Sequence, residues 1–325
     1  MRRVAPVLAL AAVVVAAAGG CSGPSRPGQA SDRHASAPAV YYLALGDSLS
    51  RGVQPDASGT SVPTRYGYAD QLYTVLHSRL PGLRLVKLGC GGESTSTMIH
   101  GGTCSYPGGS QLAAADRFLR AHRARVSLVT LDIGANDPDS CVTEPSVIKL
   151  AACAGSSVPR TAANLATILR QLRQAAPHAH IIAMNYYLPA LAAWRNGVAG
   201  QLLARGSELA TTGYNAMLTR VYQAFGVRVA DVSGAFHTSD FSPQVTVPAL
   251  GPLPRNVAAI CRWTWECAPS PRGPNEHPNR AGYQVIARAF QAAGAGQAAG
   301  AGQAAGAAQA AGTSQGAGAS QGAGA

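Results

Sequence analysis

Tyr41-Tyr42-Leu43-Ala44-Leu45-Gly46-Asp47-Ser48-Leu49-Ser50 reads as a buried strand that stops abruptly, an apolar run with aromatic residues that is ended by Gly. In an open α/β sheet the ligand crevice lies beyond the carboxyl ends of the strands. A hydroxyl at Ser48, just past a first strand, therefore projects into that crevice. Gly46 lets the backbone turn there without a Cβ clash. Taken alone, Gly-Asp-Ser is an ordinary turn, and its meaning depends on what the other strands carry at their ends.

Four further apolar strands follow at Leu83 to Leu88, Val126 to Ile133, Ile181 to Tyr187 and Val227 to Val232. Helical stripes separate them. Ala69, Leu72, Tyr73, Leu76 and Leu80 recur at helical spacing, Leu112, Ala115 and Leu119 form a second inward face, and Leu165, Ile168, Leu169 and Leu172 a third, with Thr161 as its expected N-cap. Tyr214, Met217, Leu218, Val221, Tyr222 and Phe225 share one side of a long helix between the last two strands, and Tyr283, Ile286 and Phe290 close the body. Alternation of this kind predicts one α/β domain, a parallel sheet covered by helices on both faces.

Three of these elements carry chemistry at their ends. Leu88-Gly89-Cys90-Gly91-Gly92-Glu93 follows the second strand, and its glycines let main-chain N–H groups approach a ligand closely. Ile133-Gly134-Ala135-Asn136-Asp137 follows the third and offers the Asn136 amide to the same crevice. His277-Pro278-Asn279 precedes the closing helix. Each is common in a purely structural role. Together, in this order, Gly46-Asp47-Ser48-Leu49, Gly92, Gly134-Ala135-Asn136-Asp137 and His277-Pro278-Asn279 resemble the four blocks of the SGNH (GDSL) esterase and lipase family, over about Tyr41 to Gln291. The detail around Cys90, Cys104 and Trp263-Thr264-Trp265 is similar to its secreted actinobacterial branch, related to secreted Streptomyces esterases.

The resemblance implies a flavodoxin-like three-layer fold with a five-stranded parallel sheet and hydrolysis of acyl esters. It implies Ser48 as nucleophile, His277 as its general base, and an oxyanion hole of the Ser48 and Gly92 N–H groups with the Asn136 side chain. No cofactor and no metal is implied. The family's aspartate, three residues before the histidine, is replaced by Pro274, and Lys87 stands where the family often has Asn. Asn275 cannot supply negative charge, and Glu276, adjacent to His277, points to the opposite side of an extended chain. Some members of the family orient the histidine with a main-chain carbonyl. The expectation is therefore a Ser–His dyad with a carbonyl from the Trp263 to Cys267 stretch, ahead of a triad using Glu276 or the distant Asp240; the candidate orienting residues are Trp263, Trp265, Asn275 and Glu276.

The two ends lie outside the folded body. Met1-Arg2-Arg3 and the apolar run to Ala18 read as an export signal over residues 1–20, and Ala18-Gly19-Gly20-Cys21 resembles a bacterial lipobox, which implies lipidation of Cys21. Residues 21–39 read as a flexible tether, 40–293 as the hydrolase domain, and 294–325 as a disordered Gly/Ala/Gln-rich tail. Two Gly-x-Ser-x-Gly matches in that tail follow no strand and carry no chemistry. Of seven cysteines, six remain after Cys21. Six permit fifteen connectivities; sequential pairing, Cys90 with Cys104, Cys141 with Cys153 and Cys261 with Cys267, is the expected one in an oxidising compartment. Each bond closes a short loop, for which chain entropy gives roughly 3 kcal/mol at about 15 residues.

The net charge is +11, and loss of Arg2 and Arg3 leaves 24 basic against 15 acidic residues. The arginines are scattered with no basic run interleaved with aromatics, which excludes nucleic acid and favours an anionic envelope or lipid, or no partner beyond solvent. His178-Ala179-His180 has no carboxylate or cysteine beside it and is read as solvated. The expected protein is an exported monomer that is anchored by lipid or secreted. It hydrolyses small acyl esters or lipids, and the lack of a long amphipathic lid favours soluble short-chain esters. Two other functions fit the same residues: a catalytically silent surface-binding lipoprotein, and an acyltransferase acting on sugars or envelope lipids.

Overall fold

The computed structural model describes residues 39–137 and 147–300, without the side chains of 147–156. Five strands build the central sheet: β1 Val40–Gly46, β2 Leu83–Lys87, β3 Val126–Asp132, β4 His180–Met184 and β5 Arg228–Ala230. All are parallel, in the order β2-β1-β3-β4-β5. This is the flavodoxin-like order, and its crevice opens where β1 and β3 lie side by side and the winding direction reverses.

The central place of β1 explains its composition. Tyr42, Leu43, Ala44 and Leu45 are fully buried because neighbours cover both faces of the strand, so it reads as a continuous apolar run without alternation. Burial of each large side chain contributes about 1.5–3 kcal/mol. The Tyr42 hydroxyl is satisfied inside by Thr130 Oγ1 at 2.9 Å.

Among the described residues six longer helices flank the sheet: α1 Tyr68–Arg79, α2 Gln111–Ala121, α3 Val147–Ala175, α4 Gly197–Ala224, α5 Arg255–Trp263 and α6 Arg280–Ala292. Helix α1 packs on α6 through stacked Tyr68 and Phe290, 4.7 Å apart, while α3 packs on α2 and α4. The apolar stripes point inward: Leu72, Leu76, Leu112, Leu119, Leu165, Leu169, Tyr222 and Ile286 are all buried.

Two expectations change. Thr161 does not start a helix; α3 begins at Val147 and carries Pro159 within it, and the Thr161 hydroxyl donates to Asp137 Oδ1 at 3.1 Å. The packed body also runs past residue 293, because Ala295, Ala298 and Ala299 are buried and small enough to lie close against the core. Two antiparallel hairpins complete the description, Gln54–Pro55 with Ser61–Val62 and Gln244–Val247 with Gly251–Pro254.

At the end of β1 the backbone is fixed from two sides. Gly46 has φ +132°, and a Cβ there would lie 2.0 Å from the Asp132 carbonyl oxygen. The Gln111 amide clamps the same residue, accepting from Gly46 N at 2.7 Å and donating to Gly46 O at 2.9 Å. Gly46→Ala is expected to destabilise the fold by about 3 kcal/mol or more, combining backbone strain with overpacking. Urea unfolding checks this, and an unchanged midpoint would show that the two strand ends can separate freely.

Candidate active site

Ser48 begins a one-turn helix, Ser48–Arg51, whose N-cap is Asp47; Asp47 Oδ1 accepts from Leu49 N at 2.9 Å. The first N–H groups of a helix have no intrahelical acceptor, so the Ser48 N–H is available to the crevice. Asp132, at the end of β3, grips the turn from below. Its main-chain oxygen accepts from Asp47 N at 3.0 Å, and its Oδ2 accepts from Ser50 N at 3.0 Å and Asp47 N at 3.2 Å. Tyr68 donates to Oδ1 at 2.5 Å.

Both carboxyls are buried. Burial lifts Asp47 to about 7, and burial followed by the Asp47 charge holds Asp132 well above the usual carboxylate range. Asp47 Oδ2 is buried and receives no protein hydrogen bond when ionised. A proton between the two carboxyls satisfies it and removes the like-charge contact. Three donors on Asp132 and the Leu49 N–H on Asp47 together hold the one negative charge that the pair then carries.

Gly92 has φ +77° and lies in the turn that Cys90 begins. A disulfide joins Cys90 to Cys104, and another joins Cys261 to Cys267. The pairing of Cys141 with Cys153, and the signal and lipid site at Cys21, lie outside the described residues. Next in the chain, buried Glu93 accepts from Gln111 Nε2 at 3.0 Å, while its main-chain oxygen accepts from Asn136 Nδ2 at 2.8 Å. An amide nitrogen has two hydrogens, so Asn136 keeps one for the crevice. Asp137 accepts from Thr95 N at 2.9 Å and from the Thr95 hydroxyl, tying the β3 loop to the start of the helix Thr95–His100.

His277 is buried, and its partner is one of the four candidates but not the favoured carbonyl. The Trp263 carbonyl accepts from Asn279 N at 2.9 Å, and the Trp265 carbonyl accepts from Asn275 N at 3.3 Å and Ala268 N at 3.1 Å. Both are occupied in holding the loop, and among the described residues no hydrogen bond joins either to the imidazole. Asp240 is paired with Arg255 at 3.3 Å. Glu276 offers its main-chain oxygen to Tyr187 at 2.9 Å, and no bond joins its carboxylate to the ring among the described residues. The partner is the side chain of Asn275, with Oδ1 2.9 Å from His277 Nδ1.

The same Oδ1 accepts from His277 N at 3.1 Å. A main-chain N–H is an obligate donor, so the amide oxygen must face it, and Nδ1 must carry its proton to donate to the same atom. Nε2 is left as the unprotonated nitrogen. The Asn275 Nδ2 donates in turn to Ser61 Oγ at 3.0 Å. Burial lowers the imidazole to about 4, because no carboxylate stabilises its charged form.

Ser48, Asn136, Glu276 and His277 line two adjoining cavities of about 540 Å³ each. One runs between Tyr186, Tyr187, Leu188 and Pro189 on one side and Val158, Ala210 and Tyr214 on the other. The second includes Gly92 and passes Cys104, Tyr106, Ser61 and Pro63. Among the described residues no hydrogen bond joins Ser48 Oγ to the imidazole, a contact that in hydrolases often closes only around substrate. Lys87, the departure next to the Gly92 turn, is held by Asp70 at 2.7 Å. Among the described residues no cluster of His, Cys, Asp or Glu could hold a metal ion.

A doubly wound sheet that brings a serine, an imidazole and an amide to one rim is the arrangement of an acyl hydrolase. The chain belongs to the GDSL-like Lipase/Acylhydrolase family, whose model matches residues 44–285, and as a member it is a carboxylic ester hydrolase. Two solved structures share the fold. Phospholipase A1 from Streptomyces albidoflavus is 21% identical, covers 78% of this chain and 99% of its own, and has a TM-score of 0.50. The lipase Lip_vut3 from a goat rumen metagenome is 16% identical, with 80% and 99% covered and a TM-score of 0.51. No curated protein matches the chain.

An NMR titration of the His277 ring is expected to show a midpoint near the value of about 4 that burial imposes. Asn275→Asp places a negative charge on Nδ1–H and should raise it by about one unit or more. A wild-type midpoint near the ordinary histidine value would mean that the ring is solvated.

Proposed function

We propose that the protein is an exported serine esterase or lipase in which Ser48 attacks the ester carbonyl and His277 Nε2 takes its proton. The observation that supports this most is the shared lining: serine, imidazole and Asn136 border both cavities, with Nδ1 already occupied by Asn275. Attack on the carbonyl builds an oxyanion, for which the Ser48 and Gly92 N–H groups and Asn136 Nδ2 are the donors. His277 then returns the proton to the leaving alcohol, and water repeats the sequence to free the acid. Asn275 fixes the tautomer without a charge, so the proton transfer relies on a ring kept neutral by burial.

The wall of Tyr186, Tyr187, Leu188 and Pro189 suits the acyl part of the substrate. This supports an acyl chain of some length, and methylenes that enter an apolar cavity contribute about 0.8 kcal/mol each, or about fourfold in kcat/KM. A catalytically silent binding protein or an acyltransferase is not favoured by the family. Two disulfides support export, and among the described residues no helix is long and apolar enough to cross a membrane. Attachment through a lipid at Cys21, in a monomeric protein, completes the reading.

Ser48→Ala should abolish nitrophenyl ester hydrolysis and fluorophosphonate labelling. Asn136→Ala should lower kcat by about 10²–10³ with the fold intact. Near-normal turnover of either variant would remove that residue from the mechanism. The active form of His277 is the neutral one, so kcat/KM should hold through pH 6 and fall as acid protonates the ring, near a pKa of about 4. A fall centred at the usual histidine value would contradict the burial of the base.

A further inference from the structure

A third cavity, about 1550 Å³, runs between α1 and α6 and reaches the start of β5. Five guanidinium groups line it, from Arg65, Arg79, Arg228, Arg280 and Arg288. Among the described residues none of them has an ion-pair partner; the ion pairs described belong to Lys87, Arg120 and Arg255. The one acidic residue in the lining, Asp70, is neutralised by Lys87 Nζ, 2.9 and 2.7 Å from its two oxygens. A cleft lined by one sign of charge focuses its field and raises the local concentration of counter-charge.

The layout is linear. On α6, Arg280, Gln284, Arg288 and Gln291 fall at i, i+4, i+8 and i+11 on one face, and the two arginines lie about 12 Å apart along the axis. Arg65 and Arg280 stand at the rim that bears His277, with Arg79, Arg288 and Arg228 towards the far end of the sheet. The loop of residues 61–66 joins this groove to the site: Ser61 and Pro63 line a cavity with Ser48, and Arg65 and Tyr66 line the groove.

We propose that this groove is a binding site for a linear, hydroxyl-rich polyanion, a glycan or polyol chain bearing carboxylate or phosphodiester groups at intervals. Guanidinium forks pair with either anion in bidentate fashion. The amides of Gln284, between the two arginines of α6, and of Gln291, just past Arg288, suit hydroxyl groups. Single-stranded nucleic acid fits poorly, because its bases need an open aromatic face for stacking. The one aromatic residue in the lining, Tyr66, has its ring covered by Arg280 at 5.1 Å.

Fluorescence anisotropy with labelled oligogalacturonate and labelled poly(glycerol phosphate), beside neutral dextran, tests the proposal on the full chain. At least one of the two anionic chains should bind, in a salt-dependent way, and which of them binds distinguishes carboxylate from phosphodiester. Arg79→Glu/Arg288→Glu should weaken binding by about tenfold or more and leave nitrophenyl acetate hydrolysis unchanged. Arg195→Glu/Arg220→Glu, one just before α4 and one on it, with the same change of net charge, should weaken it much less. The proposal is overturned if neither chain binds, if both double variants lose affinity equally, or if single-stranded DNA or anionic vesicles bind more tightly than both polymers.

Discussion

The buried Asp132 carboxyl is the constraint on which the site depends. It ends the strand beside β1 and accepts from two main-chain N–H groups of the Asp47–Ser50 turn and from the Tyr68 hydroxyl. An unpaired charge in that position would be strongly unfavourable, and three donors with a shared proton make it tolerable. The turn that carries Ser48 is thereby held by the sheet itself. Gly46 lets the two strand ends come this close, and Gln111 holds them from the other side.

The second constraint is the neutral support of the histidine. An amide at Asn275 performs the directional part of a carboxylate's work, fixing ring orientation and tautomer, without lowering the energy of the imidazolium. The Trp263 to Cys267 loop contributes indirectly. Its carbonyls hold Asn275 and Asn279 in place by main-chain bonds, and a Thr264–Pro278 bridge continues the pairing. A rigid frame of this kind allows a short polar side chain to serve as the orienting group.

The strands were legible because a fully covered parallel sheet needs unbroken apolar runs, and Tyr42 to Leu45 is one. The positions of Ser48, Gly92 and Asn136 just past strand ends, and of His277 just before the closing helix, were legible from the order of the elements. Asn275 was legible only as one of four candidate orienting residues, ranked behind a main-chain carbonyl because an amide supplies no negative charge. Asparagine commonly bonds the N–H two residues on, and that habit was the available signal. Asp132 could have been found as the single charge in Leu131-Asp132-Ile133, a buried carboxyl that must have partners. Pro159 disguised the start of α3, since a proline usually marks a helix beginning and not its interior. Nothing local marked Gln111 as the clamp on Gly46, sixty-five positions away in the chain.

The crosslink between Cys90 and Cys104 spans the segment that contains Gly92, and both cysteines border the cavity of Ser48. The stiffness of that turn is therefore conditional on the redox state of its surroundings: with the bond reduced, the segment from Cys90 to Cys104 loses the covalent tie that closes it, while the sheet beneath keeps its own hydrogen bonds.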